Sequence, residues 1–295
     1  PIHGFSANHQ RILELVRDRL ENCHGVPRPV PRLPFAKFGS WATALARLLA
    51  GHLSFLIEAL LGLIAIARNP RLFRPRETSA QIQQAGLEAI PVVSLVALLI
   101  GVVITYLLGL QAEKYGANIF VVDGVGIGVT REFSPIIVAV IVAGRSGAAF
   151  TAQIGSMRLT EEIDAIRTLG LSPMQVVMLP RILALVMTLP LLVFVGDVMG
   201  IGGAMIVADA MLEITPTTFI ERLREELDPR HAVVGIVKAP VFALLIAIIG
   251  CRMGSAVARD TRAVGLATTS TVVQSIVAVI LLDAVFAVLF QWLEI

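Results

Sequence analysis

Five apolar runs long enough to cross a lipid bilayer dominate the chain: residues 90–110, 124–150, 182–208, 232–250 and 266–293. A helix rising 1.5 Å per residue needs roughly 20 residues to cross about 30 Å of hydrocarbon. The second run is the least regular, because Arg131 and Glu132 interrupt its first half. A further apolar run, 41–67, is patterned differently, with Arg47, Gly51, Ser54, Glu58 and Gly62 recurring at steps of three and four. That spacing predicts a helix with one narrow polar or small stripe, suited to the membrane interface or to a span whose stripe faces protein. Arg68, Arg71, Arg74 and Arg76 follow at once and would hold anionic headgroups, which favours the interface. The expected fold is an all-α membrane protein with about five transmembrane helices and an N-terminal interfacial helix.

The first 40 residues are of another kind. Ile12, Leu13, Leu15, Val16 and Leu20 can line one face of a polar helix, and Pro27, Pro29, Pro31 and Pro34 with interspersed basic residues predict an extended linker over 25–39. The chain then divides into a unit at 1–40 and a membrane unit at 41–295. It starts at Pro1 with no Met and no leader pattern, as a trimmed N-terminus would.

Composition fits this pattern: 56% of the 295 residues are apolar, 16% are charged, and the mean hydropathy is +0.81. A net charge of +2 gives no reason to expect nucleic acid, and Cys23 and Cys251 are too isolated for a disulfide framework. The distribution of charge says more. With the N-terminus in the cytoplasm, the inner segments carry 18 Lys and Arg and the outer ones five, which is the positive-inside arrangement and leaves the C-terminus outside.

Catalytic motifs are absent. The lysines are Lys37, Lys114 and Lys238, none followed by Ser or Thr, so no phosphate-cradling G-x-x-x-x-G-K-[ST] loop occurs. GVGIGV at 124–129 has the wrong glycine spacing for a dinucleotide turn and reads as close helix packing. No metal site or catalytic group is expected, and the chain reads as a non-enzyme.

Between the second and third runs lies the longest polar interruption of the membrane unit, 143–181. Leu159, Ile163 and Ile166 share one helical face, Arg158, Glu161, Glu162 and Asp164 occupy the others, and Gly170 with Pro173 ends the helix. A short amphipathic helix at 154–171 is predicted on the cytoplasmic side, bracketed by Arg145 and Arg181. It either joins two crossings or serves as a docking lever that passes motion from a soluble motor to the membrane segments.

The string from Ala143 to Arg181, with AGRSGAA, IGSMRLTEEIDAI, LGLSP and LPR, resembles the MlaE (YrbE-type) permease family of ABC transporters that move phospholipids between bacterial membranes. TREFSP at Thr130–Pro135 and TTSTVVQS at Thr268–Ser275 resemble it too, and the likeness covers roughly 40–295. Gln153 stands where the family pattern has Glu, Glu162 where it has Gln, and Phe133 where it has Leu. The resemblance implies a homodimeric permease in the bacterial inner membrane, beneath a ring of MCE-domain protein, with a lipid cavity between its two copies. It also implies a separate ABC ATPase that carries ATP and Mg, with no cofactor in this chain. Residues 154–171 would be the coupling helix, with Arg158, Glu161, Glu162, Asp164 and Arg167 as its contact residues. Some relatives carry a STAS-like domain ahead of the permease, of which residues 8–39 look like the tail, and a STAS-domain protein is a further partner.

Charges within the apolar runs mark the remaining candidates. Lys238 and Asp283 lie mid-run and Arg131 with Glu132 near the outer half of the second run; each costs roughly 2.5–3.5 kcal/mol at a helix centre unless it faces a cavity or a partner. Lys238 pairs with Asp283 or with Glu132, and a purely structural ion pair is the competing reading. Arg131 suits a headgroup phosphate, since guanidinium binds phosphate bidentately. Asp197, among the glycines of VGDVMGIGG, reads as part of a helix contact. For acyl chains the candidates are Tyr106, Leu107, Leu108 and Leu110, with Gln111 and Tyr115 at the interface. The rival from another class is an ion-coupled secondary transporter with Asp283, Lys238 and Glu132 as coupling groups.

Overall fold

The computed structural model describes residues 9, 12, 14–16 and 34–293. Most of the expected polar helix and the first part of the proline-rich linker, with the proposed STAS-like tail, lie outside the described residues. The chain divides into two units, Pro1–Gly51 and His52–Ile295, and the five expected runs all lie in the second.

All described secondary structure is helical: α1 (Pro34–Arg68), α2 (Pro75–Ala85), α3 (Ile90–Glu113), α4 (Phe120–Gly128), α5 (Ser134–Val142), α6 (Ala148–Leu159), α7 (Glu162–Thr168), α8 (Leu179–Leu212), α9 (Pro216–Glu226), α10 (Pro229–Ala256) and α11 (Thr261–Trp292). Among the described residues six helical stretches are long and apolar enough to cross a membrane: those holding the five expected runs, and Ala42–Arg68. The chain is therefore a multi-pass, all-α membrane protein. Helix α1 starts at Pro34, so 34–39 belongs to the helix and not to an extended linker; proline is well placed in a first turn, where its missing N–H has no partner to lose.

The second run is one stretch, Phe120–Leu159, in which α4, α5 and α6 are joined by π-helical turns at Val129–Phe133 and Ala143–Gly147. A third π turn, Met174–Met178, leads into α8. Each adds a residue to a turn and re-aims the side chains around it, and such turns gather at functional sites.

Two contacts place residues 52–68 of α1 against the rest of the unit. His52 meets Arg252 near the end of α10, and Gly62 packs on Leu179 at the start of α8. Both partners lie at the end that carries α7, yet His52 and Gly62 are ten residues, about 15 Å, apart along the helix. Between those two contacts Phe55 and Ala59 are buried.

Helices α3 and α8 pack backbone to backbone. A Cβ on Gly101 would lie 2.0 Å from the Gly200 carbonyl oxygen, and one on Gly203 2.2 Å from that of Leu98. Asp197 is buried one turn before Gly200. Because both obstructions are backbone, Gly203→Val is expected to destabilise the protein by about 3 kcal/mol, the upper end of overpacking costs. Thermal unfolding of the purified chain in detergent measures this; a melting curve matching the parent would show that the two helices separate freely.

Candidate functional site

Four charged residues of the apolar runs, Arg131, Glu132, Lys238 and Asp283, meet in one network. Gly235 of α10 sets the approach: a Cβ there would lie 2.1 Å from the Thr130 carbonyl oxygen, so only glycine lets α10 touch the first π turn. One helical turn later Lys238, fully buried, donates from Nζ to Glu132 Oε2 at 2.6 Å, to Asp283 Oδ1 at 3.1 Å and to the Arg131 carbonyl oxygen at 3.3 Å. The π turn carries Glu132 and Arg131, α10 carries Lys238, and α11 carries Asp283. Sequence left Lys238 with a choice of two acids, and in the structure it takes both.

Two residues complete the network that sequence reasoning missed. Arg131 Nη1 lies 3.2 Å from His231 Nδ1, and its Nε lies 3.8 Å from Glu132 Oε1. The ring of Phe290 sits 6.0 Å from Lys238 Nζ, within cation–π range. His231, in the first turn of α10, carries no signal of its own in sequence; seven residues before Lys238, it shares that helix's face. Apart from His231 the network sets two basic side chains against two carboxylates. Lys238 is sealed, whereas the side chains of Arg131 and Glu132 retain 20% and 33% of their exposure, so the network opens on the side of the π turn.

The predicted acyl-chain residues are not brought to this network. Tyr106, Leu107, Leu108, Leu110, Gln111 and Tyr115 lie exposed at the far end of α3 and just beyond it, while Ala97, Gly101, Thr105 and Gly109 form the buried stripe toward α8. They form an open apolar surface.

At the opposite end of the second stretch the predicted lever has a different form. The single helix expected at 154–171 is broken: α6 runs to Leu159, the chain turns at Thr160 and Glu161, and α7 occupies only Glu162–Thr168. Glu161 adopts φ 63°, a left-handed conformation unusual for a side-chain-bearing residue. What holds the turn is Arg259, in the connection between α10 and α11, whose guanidinium bonds Glu161 Oε1 at 3.0 Å and Asp164. Arg167 pairs with Asp164 at 3.2 Å, and Glu162 accepts from Thr160 Oγ1 at 2.8 Å. Arg158 is half-buried at the end of α6. Ile163 is buried beneath α7, while Leu169 and Leu171 stand exposed at its tip. In sequence Arg259 was one more charge for orientation.

The bracketing arginines are both engaged. Arg145 bonds Glu88 and the Gln84 carbonyl, each at 2.8 Å, beside a cavity of about 160 Å³. Arg181 bonds the Val177 carbonyl at 2.6 Å and Gln153 Oε1 at 3.2 Å, so Gln153 faces a cation. At the far end Arg222 of α9 clasps Asp123 through two nitrogens, at 2.7 and 2.9 Å, and this hydrogen bonding raises the Arg222 pKa above its ordinary value.

Comparison with known proteins covers the same region. The family model described as Permease MlaE matches residues 78–289, which include the charged network and the lever. A probable ABC transporter permease protein of Rickettsia bellii is 32% identical over 236 residues, covering 80% of this chain and 90% of that one. A second, from Rickettsia prowazekii, is 32% identical over 210 residues, or 71% and 81% of the two chains. The Arabidopsis thaliana chloroplastic protein trigalactosyldiacylglycerol 1 is 29% identical over 215 residues, 73% of this chain and 61% of that protein.

Proposed function

Since the chain belongs to the MlaE permease family, we propose that it is the membrane subunit of an ABC transporter that moves phospholipid between bacterial membranes. It works as a homodimer in the inner membrane, with its N-terminus and α7 in the cytoplasm and its C-terminus outside. The nucleotide is handled by a separate ATPase that grips α7, so the chain itself is not an enzyme and holds no cofactor. An MCE-domain protein receives the lipid on the outer side, and a STAS-domain protein is a further partner. The relative named for a galactolipid supports a lipid cargo. Tyr106, Leu107, Leu108, Leu110, Gln111 and Tyr115 contact acyl chains, and Arg131 meets the headgroup phosphate, exchanging its partners in the network for phosphate oxygens.

The observation that carries this reading is the chain of contacts between the two sites. Arg259 ties α7 to the α10–α11 connection, and those two helices carry Lys238 and Asp283. A lever at one end thereby acts on a charged network deep in the membrane, as a subunit driven from outside requires.

The test is lipid transfer between vesicle populations by the chain reconstituted with its co-purifying ATPase. Transfer that needs ATP hydrolysis is expected; transfer driven by an ion gradient without nucleotide would instead make Asp283, Lys238 and Glu132 the coupling groups of a secondary transporter. Arg131→Ala is expected to reduce lipid recovered with the purified protein by about tenfold, the loss of one charge-assisted hydrogen-bonding group. Equal recovery by mass spectrometry would confine Arg131 to a structural role.

A further inference from the structure

Where α1, α10 and α11 meet, Arg252 sits among groups that cannot satisfy it. Gln274 of α11, within the TTSTVVQS segment, directs its amide nitrogen at Ser270 Oγ, 2.8 Å away, and at the Met253 sulfur, 3.7 Å away. Its amide oxygen therefore faces His52 of α1, whose Nε2 lies 3.0 Å from it. Arg252 Nη1 points at that same Nε2 from 3.1 Å. If Nε2 carries the proton, it donates to Gln274 and meets the guanidinium donor to donor. If Nε2 is bare and accepts from Arg252, the proton moves to Nδ1, a buried atom with no partner. Either tautomer leaves the cluster with more donors than acceptors.

Three other arginines of the unit find carboxylates on neighbouring elements: Arg145 has Glu88, Arg222 has Asp123, and Arg259 has Glu161 and Asp164. Among the described residues Arg252 has none, and its remaining N–H groups are neither partnered nor sealed off. His52, Arg252, Ser270 and Gln274 are all half-buried, so the cluster is open to what surrounds it. Its depth matters as well. Arg252 lies four residues before the end of α10, about 6 Å along the axis from the end of that apolar span on the lever side. The anion that a bilayer presents at that level is the phosphate of its own headgroups, which a guanidinium fork binds bidentately.

We propose that Arg252, braced by His52 and Gln274, is a second phosphate-binding site, occupied by the headgroup of a phospholipid in the leaflet at the lever end. It is separate from the Arg131 network, and it holds whether or not the chain transports lipid. The bound lipid fills the junction between α1 and the α10–α11 pair and supplies the missing acceptor.

Native mass spectrometry of the delipidated full chain, titrated with phosphatidylglycerol and, in a parallel arm, with inorganic phosphate, tests this. Arg252→Gln is expected to remove one bound phosphatidylglycerol per chain and to weaken the remaining binding at that site by about tenfold or more, the loss of a charge-assisted contact. Arg252→Lys should retain the charge and most of the binding, and His52→Ala should weaken it by freeing the guanidinium from its brace. Arg131→Gln should leave this lipid in place, which separates the outcome from that of the transport reading. Inorganic phosphate bound by the parent and lost in Arg252→Gln would keep the site and make a free anion its ligand. Equal lipid and phosphate binding by the parent, Arg252→Gln and His52→Ala would overturn the proposal.

Discussion

Replacing Lys238 by Met is expected to destabilise the protein by about 3–5 kcal/mol, because it strands two carboxylates in the membrane that share a single ammonium. Lys238 is fully buried, and the Asp283 side chain keeps only 11% of its exposure, so water cannot replace the lost partner for that acid. Thermal unfolding in detergent should show the loss directly. The informative companion is the triple substitution Lys238→Met, Glu132→Gln, Asp283→Asn. It removes every charge in the buried part of the network, so most of the lost stability should return, since well-packed neutral groups commonly match a buried ion pair. Lipid transfer should stay abolished in the triple variant if the charges serve function. Recovery of both stability and transfer would show that they serve packing alone. A single Lys238→Met variant as stable as the parent would mean that the two acids are not held together in the membrane.

Much of this arrangement is legible in the sequence, and the reason is energetic. Apolar runs of about 20 residues have one comfortable environment, and charges inside them must find partners, so the spans and Arg131, Glu132, Lys238 and Asp283 announce themselves. The pairing is not legible, because Lys238 meets residues 106 and 45 positions away and the distance is closed by Gly235 against Thr130, a contact of backbone with backbone. The π turns are hidden too, since inserting one residue into a helical turn leaves the apolar pattern almost unchanged. Likewise nothing in LTEEIDAI marks a break. Glutamate favours helix, and only the partnership of Glu161 with Arg259, 98 residues on, rewards the left-handed turn. The acyl-chain candidates share an exposed face at the far end of α3 and just beyond it.

The broken lever separates two jobs that the intact helix would have merged, and substitution can pull them apart. Arg259→Glu places three carboxylates together where there were two and a cation. The ion pairs it removes are exposed, so stability should change by less than about 1 kcal/mol. The outward groups of α7, Glu162, Arg167 and Leu169, are untouched. Association with the ATPase should therefore persist in Arg259→Glu while ATP-driven lipid transfer falls by about tenfold or more, because the lever no longer pulls on the α10–α11 connection. The block it pulls on is tightly made: Thr151 Oγ1 of α6 bonds Thr271 at 2.8 Å and the Gly250 carbonyl at 2.9 Å, and a Cβ on Gly254 would lie 2.8 Å from Ile154. Displacement at Arg259 accordingly reaches α6, α10 and α11 together. The joint variant Glu161→Lys, Glu162→Lys should behave in the opposite order, losing ATPase association in co-purification while the chain still inserts. Transfer and association falling in parallel in Arg259→Glu would make that residue a docking contact and leave the link between lever and network without support. Unchanged transfer would show that motion reaches Lys238 by another route, with α6, the second π turn and α5, which lead from the lever turn to the first π turn, as the remaining path.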